Sequence, residues 1–303
     1  MSAGHNSVRV IIIALFANLG IALAKTAGAI FTHSAALFAE AIHSFVDCTN
    51  QIFLLIGRQR AQRPPSPTHP LGYGREMFFW SFMVAILLFS MGGLFAIYEG
   101  THKLAGHEPL RNPEVALLIL IFSIALESYS FYACLREVRA SNRYASLGEW
   151  IRKSTASDLV VIFLEDAAAL LGLVLALISL LIAWISGQSF WDGVGSIAVG
   201  VLLIVVAVTL AIEIKSLLVG ERSETDFRPS LEEFFSEEIP GAKIFNLISL
   251  QIGAHEVMLS CKFSTGAITD VTTLLKQINL IERRMRERFP ELKWLFFEPD
   301  KKD

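Results

Sequence analysis

The residues best suited to chemistry lie in residues 39–51, which read AEAIHSFVDCTNQ. This stretch belongs to a long apolar run, yet it contains Glu40, His43, Asp47 and Asn50. His43 and Asp47 are four residues apart, so on a helix their side chains lie one above the other on one face. Glu40 and Asn50 extend that face by one turn in each direction. We call these four residues the polar stripe.

The polar stripe has the residue types of half a metal site. A histidine and a carboxylate held one helical turn apart supply two of the four ligands of a tetrahedral site. Imidazole with carboxylates binds Zn²⁺ well and also accepts Co²⁺, Fe²⁺ or Mn²⁺. Because binding needs a neutral imidazole and ionised carboxylates, the metal competes with protons, and His43 is the expected proton carrier. The alternative is a polar contact that only fixes helix packing.

A second acidic segment, SDLVVIFLEDAAALLG, can supply the other half of the site. Its depth in a membrane can be compared with that of the polar stripe. Residues 34–57 are taken as a helix that ends at the cytoplasmic side, and residues 157–185 as a helix that begins at that side. At 1.5 Å per residue, Asp47 then lies ~15 Å and Asp166 ~14 Å from that side. The two carboxylates reach the same depth from opposite directions, which scattered polar residues would not do.

This match in depth leads to a predicted ligand set. His43, Asp47 and Asp166 are the predicted ligands, and Glu165 or a water molecule is the fourth. Glu165 lies about 100° around the helix from Asp166, so both need not face one ion. Three further residues are predicted to support the site, to couple protons or to line the path of the ion from the cytoplasm: Asp158, Glu40 and Asn50.

The composition places these residues in a membrane protein. Of the 303 residues, 53% are hydrophobic and 18% charged, and the mean hydropathy is +0.52. Ordinary soluble domains are much less apolar. Because a membrane helix needs ~20 apolar residues, we predict six spans: residues 8–31, 34–57, 77–99, 113–135, 157–185 and 191–219. Lys and Arg are concentrated in the loops 58–76 and 136–155, which predicts cytoplasmic termini in a bacterial inner membrane.

The end of the chain has a different composition and reads as a small water-soluble domain. We predict a membrane domain over residues 1–220 and a cytoplasmic domain over residues 221–303. Alternation and helical periodicity predict a helix, two strands, a helix and a last strand in the second domain. That order, αββαβ, suits a two-layer α+β fold of ferredoxin-like type. The predicted fold class is thus six transmembrane helices followed by this domain.

Other polar residues within or beside the spans have weaker signals. Lys25 suits an interhelical hydrogen bond or a buried ion pair. Asp192 opens the sixth helix after Ser189, so its simplest role is an interaction with the N-terminus of that helix. His69 lies in a loop that forms either a turn at an interface or a second metal site. The cysteines are scattered, with no CxxC pair and no disulfide framework.

Two functions other than transport remain open from the residues alone. One is an intramembrane metal-dependent enzyme, which would need an activated water and substrate-binding groups at the same depth. No nucleophile motif or Gly-rich phosphate loop lies there, which counts against it. The other is a metal sensor or scaffold that transports nothing. Nothing in the sequence indicates a catalytic cofactor or a nucleic-acid partner.

The motifs together resemble the cation diffusion facilitator family, which includes the solute carrier 30 zinc transporters. The resemblance rests on six spans, on HSFVD at residues 43–47 followed by Asn50, and on the loop HPLGYGRE at residues 69–76. It also rests on the αββαβ domain of residues 221–303, which we call the tail. It implies proton-coupled export of Zn²⁺ or a similar ion by a homodimer whose cytoplasmic domains pair. Members with histidine at the position of His43 are usually zinc-selective.

The sequence also departs from that family at two places. Most members repeat HxxxD in the fifth span, whereas here Ile162 stands four residues before Asp166. The local sequence LED, residues 164–166, is similar to the branch that contains the mitochondrial zinc transporters of animals. Family tails often hold regulatory zinc, but this one offers only His255, Glu256 and Cys261. We therefore expect the tail to dimerise and to bind metal weakly or not at all.

Overall fold

A computed structural model describes residues 3–106, 110–141, 146–153, 157–254 and 256–301. Its helices are α1 Ala3–Thr32, α2 Ala35–Ala61, α3 Glu76–Leu87, a π-helix Leu88–Leu94, α4 Phe95–Gly106, α5 Pro113–Ser141, α6 Leu147–Lys153, α7 Ser157–Ser186, α8 Phe190–Val219, α9 Arg228–Glu238 and α10 Val271–Arg288. Its strands are β1 Ile244–Gly253, β2 Glu256–Phe263 and β3 Leu292–Pro299. The helices up to α8 form one apolar bundle, and the later elements form a small sheet domain.

Four helical segments in the described ranges are long and apolar enough to cross a membrane. They are Glu76–Ala105, Pro113–Arg136, Leu159–Ser186 and Phe190–Val219. The first runs without a break through α3, the π-helix and α4. These four match the predicted third to sixth spans. The helices α1 and α2 coincide with the first two predicted spans but are not among the four, so a total of six spans stays a prediction.

A tight turn connects α1 to α2, the helix that bears the polar stripe. His33 has a φ of 55°, and its amide donates to the carbonyl of Ala29, which ends α1. Ser34 caps α2, since its hydroxyl accepts the Leu37 amide at 3.1 Å. From there α2 packs against α1, α3, α7 and α8. Its polar face is consequently turned into the bundle rather than toward lipid.

Glycines let the segment Glu76–Ala105 approach α8 closely. A Cβ built on Gly100 would lie 2.6 Å from the carbonyl oxygen of Gly193, and one on Gly200 would lie 2.7 Å from that of Gly93. Real Cβ atoms do not come this close, so larger residues would push the helices apart. Small residues at such crossings are typical of membrane helix pairs. This pair forms one wall of the bundle around α2.

The tail has its elements in the predicted order. Its sheet has the strand order β1-β2-β3, with β1 antiparallel to β2 and β2 parallel to β3. Alternate residues of β2 face the core, as a half-buried strand requires. The core includes Phe227, Phe235, Phe263, Ile281 and Met285. The predicted second strand began at His255, which lies outside the described residues.

The loop of residues 69–76, which lies between α2 and α3, is in contact with the tail. The rings of His69 and Tyr73 stack with centroids 4.4 Å apart. A Cβ built on Gly74 would lie 2.5 Å from the carbonyl oxygen of Ile252, at the end of β1. The loop is thus a turn that touches the tail, which is the first of the two roles that the sequence left open for His69.

Candidate functional site

The polar stripe contains buried polar atoms that have no hydrogen-bond partner within the part of the chain that the structure describes. His43 Nδ1 and Asp47 Oδ1 lie 3.6 Å apart, just beyond hydrogen-bonding distance. Among the described residues, neither ring nitrogen of His43 has a hydrogen-bond partner, and neither has Asp47 Oδ1. The His43 side chain is 1% exposed and that of Asp47 is 15% exposed. Buried polar atoms are nearly always hydrogen-bonded, so this cluster of unpartnered atoms indicates groups reserved for a ligand.

The acidic segment of α7 meets the stripe through Glu165. Asn50 Nδ2 donates to Glu165 Oε1 at 2.8 Å. The carboxyl groups of Glu165 and Asp47 are also in hydrogen-bonding contact. Two ionised carboxyl groups in contact repel each other unless a proton or a cation lies between them. The contact therefore forms a place for a positive charge between α2 and α7.

Asp166, the residue that the depth argument favoured, faces a different helix. Its Oδ2 accepts a hydrogen bond from the hydroxyl of Ser130 on α5, at 3.3 Å. The cause is the 100° turn between successive helix residues, which directs Glu165 toward α2 and Asp166 toward α5. Asp158 lies in the first turn of α7, but its side chain is outside the described part of the chain. The structure thus brings together His43, Asp47, Asn50 and Glu165.

These side chains do not form a closed metal site. Among the residues that the structure describes, no group of three or more His, Cys, Asp or Glu side chains is close enough to hold one ion together. The unpartnered atoms instead follow one face of α2. An ion bound at Asp47 and Glu165 would need a rotation of His43 or of Asp166 to gain further protein ligands, and water would complete its coordination.

Glu40, the first residue of the stripe, forms an ion pair with a lysine. Lys25 Nζ on α1 lies 3.5 Å from Glu40 Oε2 and donates to the hydroxyl of Ser44 at 2.9 Å. Both roles predicted for Lys25 are therefore present, since Glu40 and Ser44 both belong to α2. The pair lies one turn from His43, on the side of α2 nearer to its first residue, Ala35.

Asp192 fixes the start of α2 from α8. Its carboxylate accepts the Ser34 hydroxyl at 2.7 Å and the Ala35 and Ala36 amides at 2.6 Å and 3.3 Å. The sequence predicted an interaction with the N-terminus of α8, whereas the hydrogen bonds of Asp192 go to the N-terminus of α2. The sequence did not signal this pairing, since the two segments lie about 157 residues apart. Asp192 thereby anchors the first turn of α2 to α8.

The tail offers poor metal ligands among the side chains described. Cys261 is buried in the sheet core, and burial raises the pKa of its thiol to about 12. A thiol with this pKa stays protonated at neutral pH, whereas zinc binds the thiolate. Glu256 forms an ion pair with Lys293 at 3.3 Å. Cys261 and Glu256 are thus poor candidates for metal ligands, and weak metal binding by the tail stays a prediction.

Comparison with known proteins adds independent information. The cation efflux transmembrane domain family matches residues 11–219. The mitochondrial proton-coupled zinc antiporter SLC30A9 of Xenopus laevis is 32% identical over 170 residues, which are 55% of this chain and 30% of that protein. Metal tolerance protein C4 of Arabidopsis thaliana is 29% identical over 174 residues, 57% of this chain and 38% of its own.

A bacterial relative has similar identity. The magnetosome protein MamB of Magnetospira sp. (strain QH-2) is 29% identical over 167 residues, which are 54% of this chain and 56% of that protein. The chain covers less than two thirds of the length of each of these three relatives. The family match spans the whole bundle from α1 to α8. With the four apolar helices, it makes the chain a multi-pass integral membrane protein.

Proposed function

The chain belongs to the cation efflux family of metal transporters, and from this premise we propose that it exchanges Zn²⁺ for protons across a membrane. The family membership confirms the resemblance that the HSFVD and HPLGYGRE motifs indicated. Members of the family are transporters and not enzymes. The similarity to a protein named as a proton-coupled zinc antiporter supports zinc as the cargo and protons as the counter-ion. Mn²⁺, Fe²⁺ and Co²⁺ are the alternative cargoes.

One observation supports the proposed site most strongly. Both imidazole nitrogens of His43 and one carboxylate oxygen of Asp47 are buried and have no hydrogen-bond partner among the described residues. They lie beside Glu165, whose carboxyl group already contacts that of Asp47. Imidazole and carboxylate donors in this combination suit a divalent ion of borderline softness. We propose His43, Asp47 and Glu165 as the ligands, with Asp166 as a residue that replaces one of them in another conformation.

Proton exchange follows from the same donor set. Zinc requires a neutral imidazole and ionised carboxylates, so the ion and protons compete for the same atoms. When the site opens to the cytoplasm, zinc displaces protons from these groups. When it opens to the other side, protons return and the ion leaves. Each ligand then works in both directions of an alternating-access cycle.

Several features of the assembly belong to the same proposal. We propose six spans, with α1 and α2 as the first two, and a cytoplasmic domain over residues 221–303 after a membrane domain over residues 1–220. Both termini are cytoplasmic, because the most basic loops alternate with the others. Two copies pair through their tails and transmembrane helices. The lipid bilayer, the metal ion and protons are the other partners.

A transport assay with purified protein in liposomes tests this function. The expected result is uptake of Zn²⁺ that rises with an imposed pH gradient and stops when the gradient is collapsed. Parallel runs with Mn²⁺, Fe²⁺, Co²⁺ and Cd²⁺ give the preference among cargo ions. Zinc uptake that ignores the pH gradient would overturn the antiport. The complete absence of flux, with zinc still bound by the protein, would favour a sensor or scaffold.

A further inference from the structure

The buried lysine beside the polar stripe has a cost that helix packing does not explain. The side chain of Lys25 is 1% exposed and that of its partner Glu40 is 0% exposed. Burying two charges is expensive, and a buried pair is favourable only when its remaining polar atoms are also hydrogen-bonded. An apolar pair of similar volume would join α1 to α2 at lower cost. The presence of the charges therefore calls for another reason.

The carboxylate of Glu40 is only partly satisfied. Its Oε2 faces Lys25 at 3.5 Å, but its Oε1 is buried and has no hydrogen-bond partner in the described ranges of the chain. On the α7 side, a Cβ built on Gly172 would lie 2.7 Å from this Oε1. The glycine thus leaves the space that the oxygen occupies. A carboxylate with a free oxygen in such a space is ready to accept a second cation.

The free oxygen of Glu40 continues a line of unpartnered atoms. Hydrogen-bond partners from the described residues are lacking for Glu40 Oε1, for the two ring nitrogens of His43 and for Asp47 Oδ1. Their spacing along α2 puts them on one face over two helical turns. A cation that moved along this face from Asp47 past His43 would next meet Glu40. In the structure, that position faces the ammonium group of Lys25.

We propose that Lys25 is a tethered cation that sets the zinc affinity of the polar stripe. Its ammonium group neutralises Glu40, keeps this carboxylate from acting as a strong ligand, and repels a divalent ion at His43. Repulsion between two positive charges about one helical turn apart is substantial in a site with little water. The bound zinc is therefore held more weakly than the ligands alone would hold it, which favours release. This inference rests on the proposed zinc function of the same site.

A purely structural role for the ion pair predicts different behaviour. If Lys25 and Glu40 only join α1 to α2, removal of either charge leaves the other buried and unpaired. Both single variants would then lose stability, and the zinc affinity of the folded protein would change little. A tethered cation instead predicts changes in affinity of opposite sign, because one variant removes the repelling charge and the other exposes it.

Zinc titration calorimetry on the full chain in detergent separates the two roles. Lys25→Gln should bind Zn²⁺ roughly tenfold more tightly than the unmodified protein. Glu40→Gln should bind it roughly tenfold more weakly, since Lys25 then loses the carboxylate with which it forms its ion pair. The double variant should bind more tightly than Glu40→Gln alone. That comparison keeps the test valid if Lys25→Gln fails to fold.

Lys103 provides a matched control. It is also a buried lysine, and its ammonium group donates to the carbonyl of His33, away from the polar stripe. Lys103→Gln should change the zinc dissociation constant by less than about twofold. Affinity changes of the same sign in Lys25→Gln and Glu40→Gln, or an effect of Lys25→Gln no larger than that of Lys103→Gln, would overturn the tethered cation. If the unmodified protein bound none of the five ions, the proposed function itself would fail.

Discussion

Two carboxylates inside the bundle, Asp192 and Asp47, differ in how completely they are satisfied. Asp192 accepts three hydrogen bonds, from Ser34 and from the first amides of α2. Asp47 has one oxygen without a hydrogen-bond partner among the described residues, and so do both ring nitrogens of the neighbouring His43. Both carboxylates are costly to place in an apolar bundle. The hydrogen bonds of Asp192 offset this cost, whereas those of Asp47 are completed, in our proposal, by a bound cation.

The difference separates structural from functional polar residues in a membrane bundle. A fully satisfied carboxylate holds one geometry and makes the fold specific. A partly satisfied carboxylate loses stability in exchange for the capacity to bind. By this criterion Asp192 positions α2, whereas His43, Asp47 and Glu165 are the residues that we propose to bind a cation. Variants in the two groups should therefore fail in different assays.

The largest effect on transport should come from the free ligand atoms. His43→Ala and Asp47→Ala should each lower Zn²⁺ flux in liposomes at least roughly a hundredfold, because each removes a protein ligand from the ion. Their thermal unfolding should stay close to that of the unmodified protein, since neither side chain makes a complete set of hydrogen bonds. Normal flux in either variant would remove that residue from the site.

A smaller effect should distinguish the two neighbouring carboxylates of α7. Glu165→Gln should lower zinc flux roughly tenfold, whereas Asp166→Asn should lower it by less than about threefold. The reason is that Glu165 contacts Asp47, while Asp166 bonds to Ser130 on α5. Initial rates over a range of zinc concentrations would measure both. The opposite order would restore Asp166 as the principal ligand, as its depth in the membrane suggested.

The satisfied carboxylate should behave in the opposite way. Asp192→Asn should destabilise the bundle by about 2 kcal/mol, because an amide cannot accept the three bonds that a carboxylate accepts. Flux per folded molecule should remain near the unmodified value. Thermal unfolding in detergent and flux normalised to folded protein check the two statements. A large loss of normalised flux with unchanged unfolding would show that Asp192 belongs to the ion path.

The smallest effect should come from the tail. Cys261→Ala should leave zinc flux and the number of bound zinc ions unchanged, because burial raises the pKa of this thiol to about 12. At pH 7 the thiol is therefore almost entirely protonated, whereas zinc binds the thiolate. A lower zinc content in the variant at pH 7 would show that the tail binds metal.

Sequence reasoning predicted which turns of α2 and α7 lie together but not which side of α7 faces α2. Periodicity located the polar stripe and the helices, since apolar spans and i, i+4 spacing are local properties. Depth along an axis follows from a rise per residue and indicated the turn of α7 that contacts Asn50 and Asp47. The choice between Glu165 and Asp166 depends on how α7 is rotated against α2 and α5, which only tertiary packing decides. The partner of Asp192 was beyond reach for the same reason.

The tail shows the same division. The order of its helices and strands followed from alternation and turn signals in the sequence. Its contact with the bundle through Gly74 did not, because a close approach of two backbones leaves no periodic pattern. His255 lies outside the described residues, so its predicted contribution to the tail stays a prediction.

X-ray absorption at the zinc edge of the purified, zinc-loaded protein tests the central claim most directly. The account predicts a first shell of nitrogen and oxygen at ~2.0 Å with imidazole scattering, and a loss of that scattering in His43→Ala. Asp192→Asn should leave the spectrum unchanged. A sulfur shell at ~2.3 Å, or a spectrum that His43→Ala does not alter, would contradict the assignment of the polar stripe as the zinc site.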